Sequence, residues 1–229
     1  MGITNVARLE AMRNIHWGKR CFVLGNGPSL TEHDLTAIRD EYIIATNRIY
    51  LHPACRQWSR WYYCAVNPHV IEQFREEIGA LRAKCFLAWE SRDQAPRHCD
   101  VLWLRTRNEP RFSFDLTDAM WQGATVTYVA LQLAFHLGFT DVVLLGVDHH
   151  YSRSGQANKL VVSGEPDPDH FSPSYFGEGV RWQLPDLAQS ELAYRLARLA
   201  YEQEGRRIRN ATRDGRLEVF PRVILEDLL

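Results

Sequence analysis

Short apolar runs alternate with stretches of helical period along this chain. The runs at 21–24, 42–45, 61–66, 85–88, 101–104 and 142–145, with a late one near 207–210, are bounded by turn residues and too short for helices. They read as buried strands. Apolar residues recur at helical spacing over 5–16, 31–39, 68–81, 123–137 and 186–204. Strands alternating with helices predict an α/β, Rossmann-like fold, a mostly parallel sheet with helices on both faces. The stretch 125–137 is apolar on most faces and reads as a helix buried on the sheet, stopped by Gly138 as C-cap. Within it, His136 reads as a satisfied core or boundary residue rather than a ligand. Residues 141–145 then form a central strand ending at Gly146.

Between 146 and 185 the periodicity breaks down. The stretch is rich in Gly, Pro, Ser, Asp, His and Tyr, and only 159–162 looks regular. A loop this long inside a domain reads as a lid or binding segment. It begins at a strand's C-terminal end, the edge where open α/β sheets bind ligands. The first strand ends at the same edge, in the turn Gly25-Asn26-Gly27-Pro28-Ser29. Thr31 follows as a helix N-cap, with Asp34 three residues on. Strand, glycine turn and helix N-terminus together predict an anion site of the kind that holds a nucleotide or nucleotide-sugar phosphate. The turn lacks both G-x-G-x-x-G and G-x-x-x-x-G-K-[ST] spacing, so an ordinary β-to-α turn stays open as the other reading. After the second strand, Asn47 in Thr46-Asn47-Arg48 is a candidate for base or ribose contact, or a turn former.

Composition narrows the class. The 229 residues, 45% hydrophobic and 24% charged, fit one domain over 1–229 with the lid at 146–185. A net charge of -1 argues against a nucleic-acid partner. The run Arg206, Arg207, Arg209 reads as a solvated helix end facing its own dipole. Five dispersed cysteines (Cys21, Cys55, Cys64, Cys85, Cys99) without a C-x-x-C pair fit reduced thiols, three of them in the core. The N-terminal stretch carries charges in place of a signal peptide's apolar region, and no apolar run reaches the ~18 residues of a membrane helix. A cytoplasmic protein is expected, with peripheral contact at the inner membrane left open.

The long loop holds Asp148, His149, His150, Tyr151, Arg153, Asp167, Asp169, His170, Tyr175 and Arg181. One histidine could act as a general base. Alternatively, Asp148 with Asp167 or Asp169 could hold Mg²⁺ against substrate phosphates. A zinc site from His149, His150 and His170 is a third option, although adjacent histidines are not a metalloprotease spacing.

Four segments then carry a resemblance: Leu24-Gly25-Asn26-Gly27-Pro28-Ser29-Leu30, Ala45-Thr46-Asn47-Arg48, Ala134-Phe135-His136-Leu137-Gly138-Phe139 and Leu144-Leu145-Gly146-Val147-Asp148-His149-His150-Tyr151. They are similar to the bacterial sialyltransferases of glycosyltransferase family 42. They are equally similar to the wider family of 6-hydroxymethylpterin diphosphokinase (MptE-like) and Maf-type flagellin glycosyltransferase domains. The resemblance implies a transferase in surface-polysaccharide or glycoconjugate synthesis, with a nucleotide-sugar donor of CMP type and a glycan acceptor. Gly25, Asn26, Gly27, Ser29, Asn47 and Asp148 become the candidate nucleotide-binding residues. Tyr151 would help the phosphate leave, and His170 would deprotonate the acceptor hydroxyl. Such transfer requires no cofactor or metal, because hydrogen bonds can stabilise a leaving phosphate. An ATP- and Mg²⁺-dependent diphosphokinase and a non-catalytic nucleotide-binding protein remain the alternatives, and homo-oligomerisation stays open.

Overall fold

The seven apolar runs pair into one parallel sheet. The computed structural model describes residues 4–96, 100–153, 155–164 and 166–229. In chain order, β1 (Arg20–Leu24), β2 (Tyr42–Thr46), β3 (Trp61–Ala65), β4 (Lys84–Ala88) and β5 (Val101–Leu104) step outward to one edge. A short pair, β6 (Thr106–Arg107) and β7 (Met120–Trp121), lies outside the main sheet. The chain then crosses back to place β8 (Asp141–Leu145) on the other side of β1. A hairpin of β9 (Leu160–Val162) and β10 (Arg181–Gln183) follows, and β11 (Arg207–Asn210) pairs with β8. The reversal between β1 and β8 is a topological switch point, where connections leave in opposite directions and a crevice opens at the strands' C-terminal ends. Register sharpens this. Leu24 lies level with Leu145 on one side and Ala45 on the other, so three strand ends finish together. The Rossmann-like α/β expectation holds.

Six helices accompany the sheet among the described residues: α1 (Asn5–Glu10), α2 (Glu32–Ala37), α3 (Pro68–Gln73), α4 (Arg75–Gly79), α5 (Val126–Leu137) and α6 (Leu187–Gln203). Thr31 and Asp34 close the expected capping box on α2. Gly138 ends α5 in the left-handed conformation, at φ 94°. α5 packs on β1, β2, β3 and α6, and all its residues after Val126 are buried. Two of its buried polar side chains are matched, whereas the Tyr128 hydroxyl has no hydrogen-bond partner among the described residues. Gln132 donates to the Trp121 carbonyl and accepts from the Ser113 amide, each at 2.9 Å, and His136 Nε2 meets the Leu9 carbonyl at 2.9 Å.

Four expectations are corrected. The first helix ends at Glu10 rather than 16, because the chain peels away and the Asn14 and His16 amides take the His136 and Leu137 carbonyls at the end of α5. The helix over 68–81 breaks at Phe74, whose backbone turns (φ -120°, ψ 28°) so that its ring lies 3.8 Å beneath the Arg48 guanidinium. Arg207 and Arg209 lie on β11 with Arg206 just before it, so the arginine run is not a solvated helix end. Arg206 is buried, donates to the Phe135 carbonyl at 2.7 Å and so caps α5, while Arg207 and Arg209 pair with Asp141 on the neighbouring strand. The 146–185 loop has its own substructure, because Tyr175, Phe176, Trp182 and Leu184 form a second small apolar cluster that anchors the hairpin. Cys21, Cys64 and Cys85 are buried, as the core reading requires; Cys55 is buried as well, and Cys99 lies outside the described residues. No helix among the described residues is long and apolar enough to cross a membrane.

Candidate functional site

A crevice of about 280 Å³ opens over the C-terminal ends of β1, β2, β3 and β8. That size lies at the small end of ligand pockets. Gly25, Asn26, Gly27, Asn47, Asp148, Tyr151 and His170 all line it, so sequence positions up to 145 residues apart share one wall. Ser29 does not line it; it sits behind Asp148.

The glycine turn differs from the expected anion cradle. The Gly25 amide donates to the Leu145 carbonyl at 2.8 Å and the Gly27 amide to the Gly146 carbonyl at 2.9 Å. The Ser29 amide and hydroxyl both donate to the Asp148 carboxylate, at 3.2 and 2.8 Å. The protein's own carboxylate therefore sits where a phosphate was expected, and the turn has these donors already engaged. α2, one and a half turns long, has its N-terminus closed by Thr31 and Asp34. What reaches the crevice is the start of the longer α5. Its N-cap Thr125 and first residues Val126 and Thr127 line the wall, after two left-handed residues, Gly123 and Ala124. The positive end of that helix dipole faces the crevice. Periodicity placed the helix start at 123 and gave no sign of a ligand-facing terminus.

Two amides mark the floor. Asn26 is 8% exposed, and its Nδ2 donates to the Thr46 carbonyl and hydroxyl, each at 3.1 Å. Because a carbonyl only accepts, this fixes the amide's orientation and leaves Oδ1 without a partner among the described residues. Asn47 adopts φ 47°, and its Oδ1 is likewise buried and unpartnered. A buried acceptor without a donor costs about 1–3 kcal/mol, which a ligand hydroxyl or amine would recover.

Ionisable groups line the same crevice. His170 Nδ1 lies 2.8 Å from Asp167 Oδ2, and its ring stacks on Tyr175 at 3.9 Å and 2°. Asp167 also accepts from the Asp169 amide at 2.9 Å. Burial pushes Asp167 up, but the hydrogen bond and charge of His170, with two amides, bring the carboxyl below its ordinary value. Asp169 accepts from the Ser152 amide at 2.6 Å. The Tyr151 ring centroid lies 6.3 Å from that of His170. Burial first, then Tyr194 and the charges of Asp169, Asp148 and Asp167, push the Tyr151 hydroxyl up, so it remains a proton donor. Burial also lowers His149, against the pull of Glu191. His149 stands in the left-handed region at φ 54°, with its ring 5.8 Å from Tyr194. No three His, Cys, Asp or Glu side chains among the described residues come together as a metal-binding group.

Asp148 has a testable consequence. Burial raises its carboxyl above 3.8, against the Ser29 hydrogen bonds. A carboxyl raised in the folded state favours folding below its unfolded value and loses that contribution as pH rises through the folded value. Asp148→Asn is therefore expected to melt higher than wild type at pH 7, with the gap closing toward pH 4 in differential scanning calorimetry. Equal or lower melting at pH 7 would mean that the Ser29 bonds offset or outweigh the burial.

No known family model matches this chain, and no curated protein matches it in sequence.

Proposed function

We propose that this chain is a nucleotide-dependent transferase, a glycosyltransferase that takes a CMP-sugar-type donor to a glycan acceptor. The observation that carries the reading is the His170–Asp167 pair at 2.8 Å on the crevice wall, with the protonated Tyr151 beside it. Asp167 occupies Nδ1 and orients the ring, which leaves Nε2 as the nitrogen available to a substrate. In the proposed reaction Nε2 accepts the proton of the acceptor hydroxyl, and that oxygen forms the new bond to the anomeric carbon. The bond from that carbon to the donor phosphate oxygen breaks, and its electron pair leaves with the nucleoside monophosphate. Tyr151 hydrogen-bonds the charge that develops there. The unpartnered Asn26 and Asn47 oxygens suit ribose hydroxyls or an exocyclic base amine, and the start of α5 suits the donor's anionic groups.

A Mg²⁺-dependent diphosphokinase fits these residues less well. Both Asp148 oxygens accept from Ser29, Asp167 is held by His170, and Asp169 accepts from Ser152, so each candidate carboxylate is committed within the fold. A thermal-shift panel of CMP, CDP, UDP, GDP and ATP, each with and without Mg²⁺, separates the readings. A ligand at a hundredfold excess over Kd adds about 2.7 kcal/mol, or roughly 5–11 °C for a chain of this size. The expected result is a shift with CMP that does not depend on Mg²⁺. A shift confined to ATP with Mg²⁺ would replace this reading with the diphosphokinase, and no shift with any nucleotide would overturn both.

A further inference from the structure

Arg48 is 7% exposed and forms no ion pair with a described residue. A buried charge without a counter-ion is costly. Here the guanidinium is met by backbone and rings instead. Nη1 donates to the Ser174 carbonyl at 3.0 Å and to the Tyr175 carbonyl, and the guanidinium lies over the Phe74 ring at 3.8 Å. The Tyr50 hydroxyl also lies against it. The Arg48 amide reaches the Tyr175 hydroxyl at 3.3 Å. Arg48 therefore grips Tyr175 at both ends, backbone and hydroxyl, from the end of β2. Tyr175 in turn is the flat surface on which His170 stacks at 3.9 Å. The 74–75 break between α3 and α4 gives the guanidinium its other face.

We infer that Arg48 is a positioning residue: through Tyr175 it fixes the plane of the His170 ring, so that Nε2 is held toward the crevice. Asp167 alone fixes one nitrogen and leaves the ring free to rotate about that hydrogen bond; the Tyr175 face removes this freedom. Part of the long 146–185 loop is thereby clamped to the sheet, and the base sits on the clamped part rather than on a moving lid. The inference rests on reading His170 as the base, but its structural half can be tested without activity.

The carbon-bound ring protons of His170 lie over the Tyr175 face, so its ring current should move them upfield in the proton NMR spectrum. His170→Ala assigns those signals. Arg48→Ala is expected to bring them back toward free-histidine values, and methylguanidinium is expected to restore part of the shift. Arg48→Lys makes the same test should the alanine variant not fold, and Tyr175→Leu, which keeps the loop's apolar cluster filled but removes the ring, sets the unshifted reference. Tyr175→Phe should keep the shift. On CMP-sugar turnover, Arg48→Lys is expected to lower kcat about tenfold with KM held within about twofold, as a misplaced group would. Unmoved His170 signals in the Arg48 variants would overturn the clamp while leaving the base reading intact. Moved signals together with full turnover by His170→Ala would keep the clamp and overturn the base reading.

Discussion

Alanine in place of His170 is expected to lower transfer by about 10²–10⁴-fold, the range for removing a positioned general base. The fold should survive. His170 is half-buried on the crevice wall, and its removal takes one partner from Asp167, which keeps the Asp169 and Phe176 amides. The loss should fall on kcat, since the base acts on the acceptor proton in the transition state and adds little to donor binding. Steady-state kinetics with a CMP-sugar, beside a CMP thermal shift on the same variant, separates these effects. A folded His170→Ala protein that retains its CMP shift and loses turnover supports the role. Turnover within about twofold of wild type would remove His170 from the chemistry. The coupling to Asp167 has its own sign. A carboxyl lowered in the folded state stabilises the fold above its unfolded value and ceases to do so as pH falls through the folded value. His170→Ala should therefore lose less stability on acidification than wild type.

The second large effect falls on stability, at Gly25. A Cβ there would lie 2.2 Å from the Gly146 carbonyl oxygen and 2.8 Å from its carbon, both backbone atoms. Neither turn can yield, because the Gly25 and Gly27 amides are bonded to the Leu145 and Gly146 carbonyls across the same gap. Gly25→Ala is expected to cost about 3 kcal/mol or more, which is roughly a 6–12 °C fall in melting temperature for a chain of this length. Gly27→Ala makes the contrast. Its Cβ would meet Asp148 Oδ2 at 1.8 Å, a side-chain atom that can swing away. It should release Asp148 from Ser29 and disturb the crevice more than the fold. Calorimetry of the two variants checks this, and a Gly25→Ala protein melting within about 1 °C of wild type would refute the close approach of the two turns.

These contrasts show where the sequence was legible. The β1 and β8 runs are recognisable because a strand buried on both faces must be apolar throughout, and a run too short for a helix has few other uses. The Thr31–Asp34 box and the Gly138 cap are legible because each satisfies backbone groups with residues close in sequence. Gly25 and Gly27 stood out as glycines. That they press on Gly146 and Asp148 depends on β8 returning beside β1, about 120 residues later. For the same reason Asp148 could be listed as a polar candidate but not placed inside the turn.

The sequence by itself determined the elements and their alternation, because burial periods and caps are set by neighbours within about one helical turn. It also determined which polar residues would stand at the strand ends. Only the tertiary structure decided what those residues touch. It put Arg206 on another helix's carbonyls, ended α1 early to cap α5, broke the 68–81 helix beneath Arg48, and stacked His170 on Tyr175. In each case a buried polar group or a ring found its partner across the fold, and the free energy of satisfying it outweighed the local preference that the sequence pattern expressed.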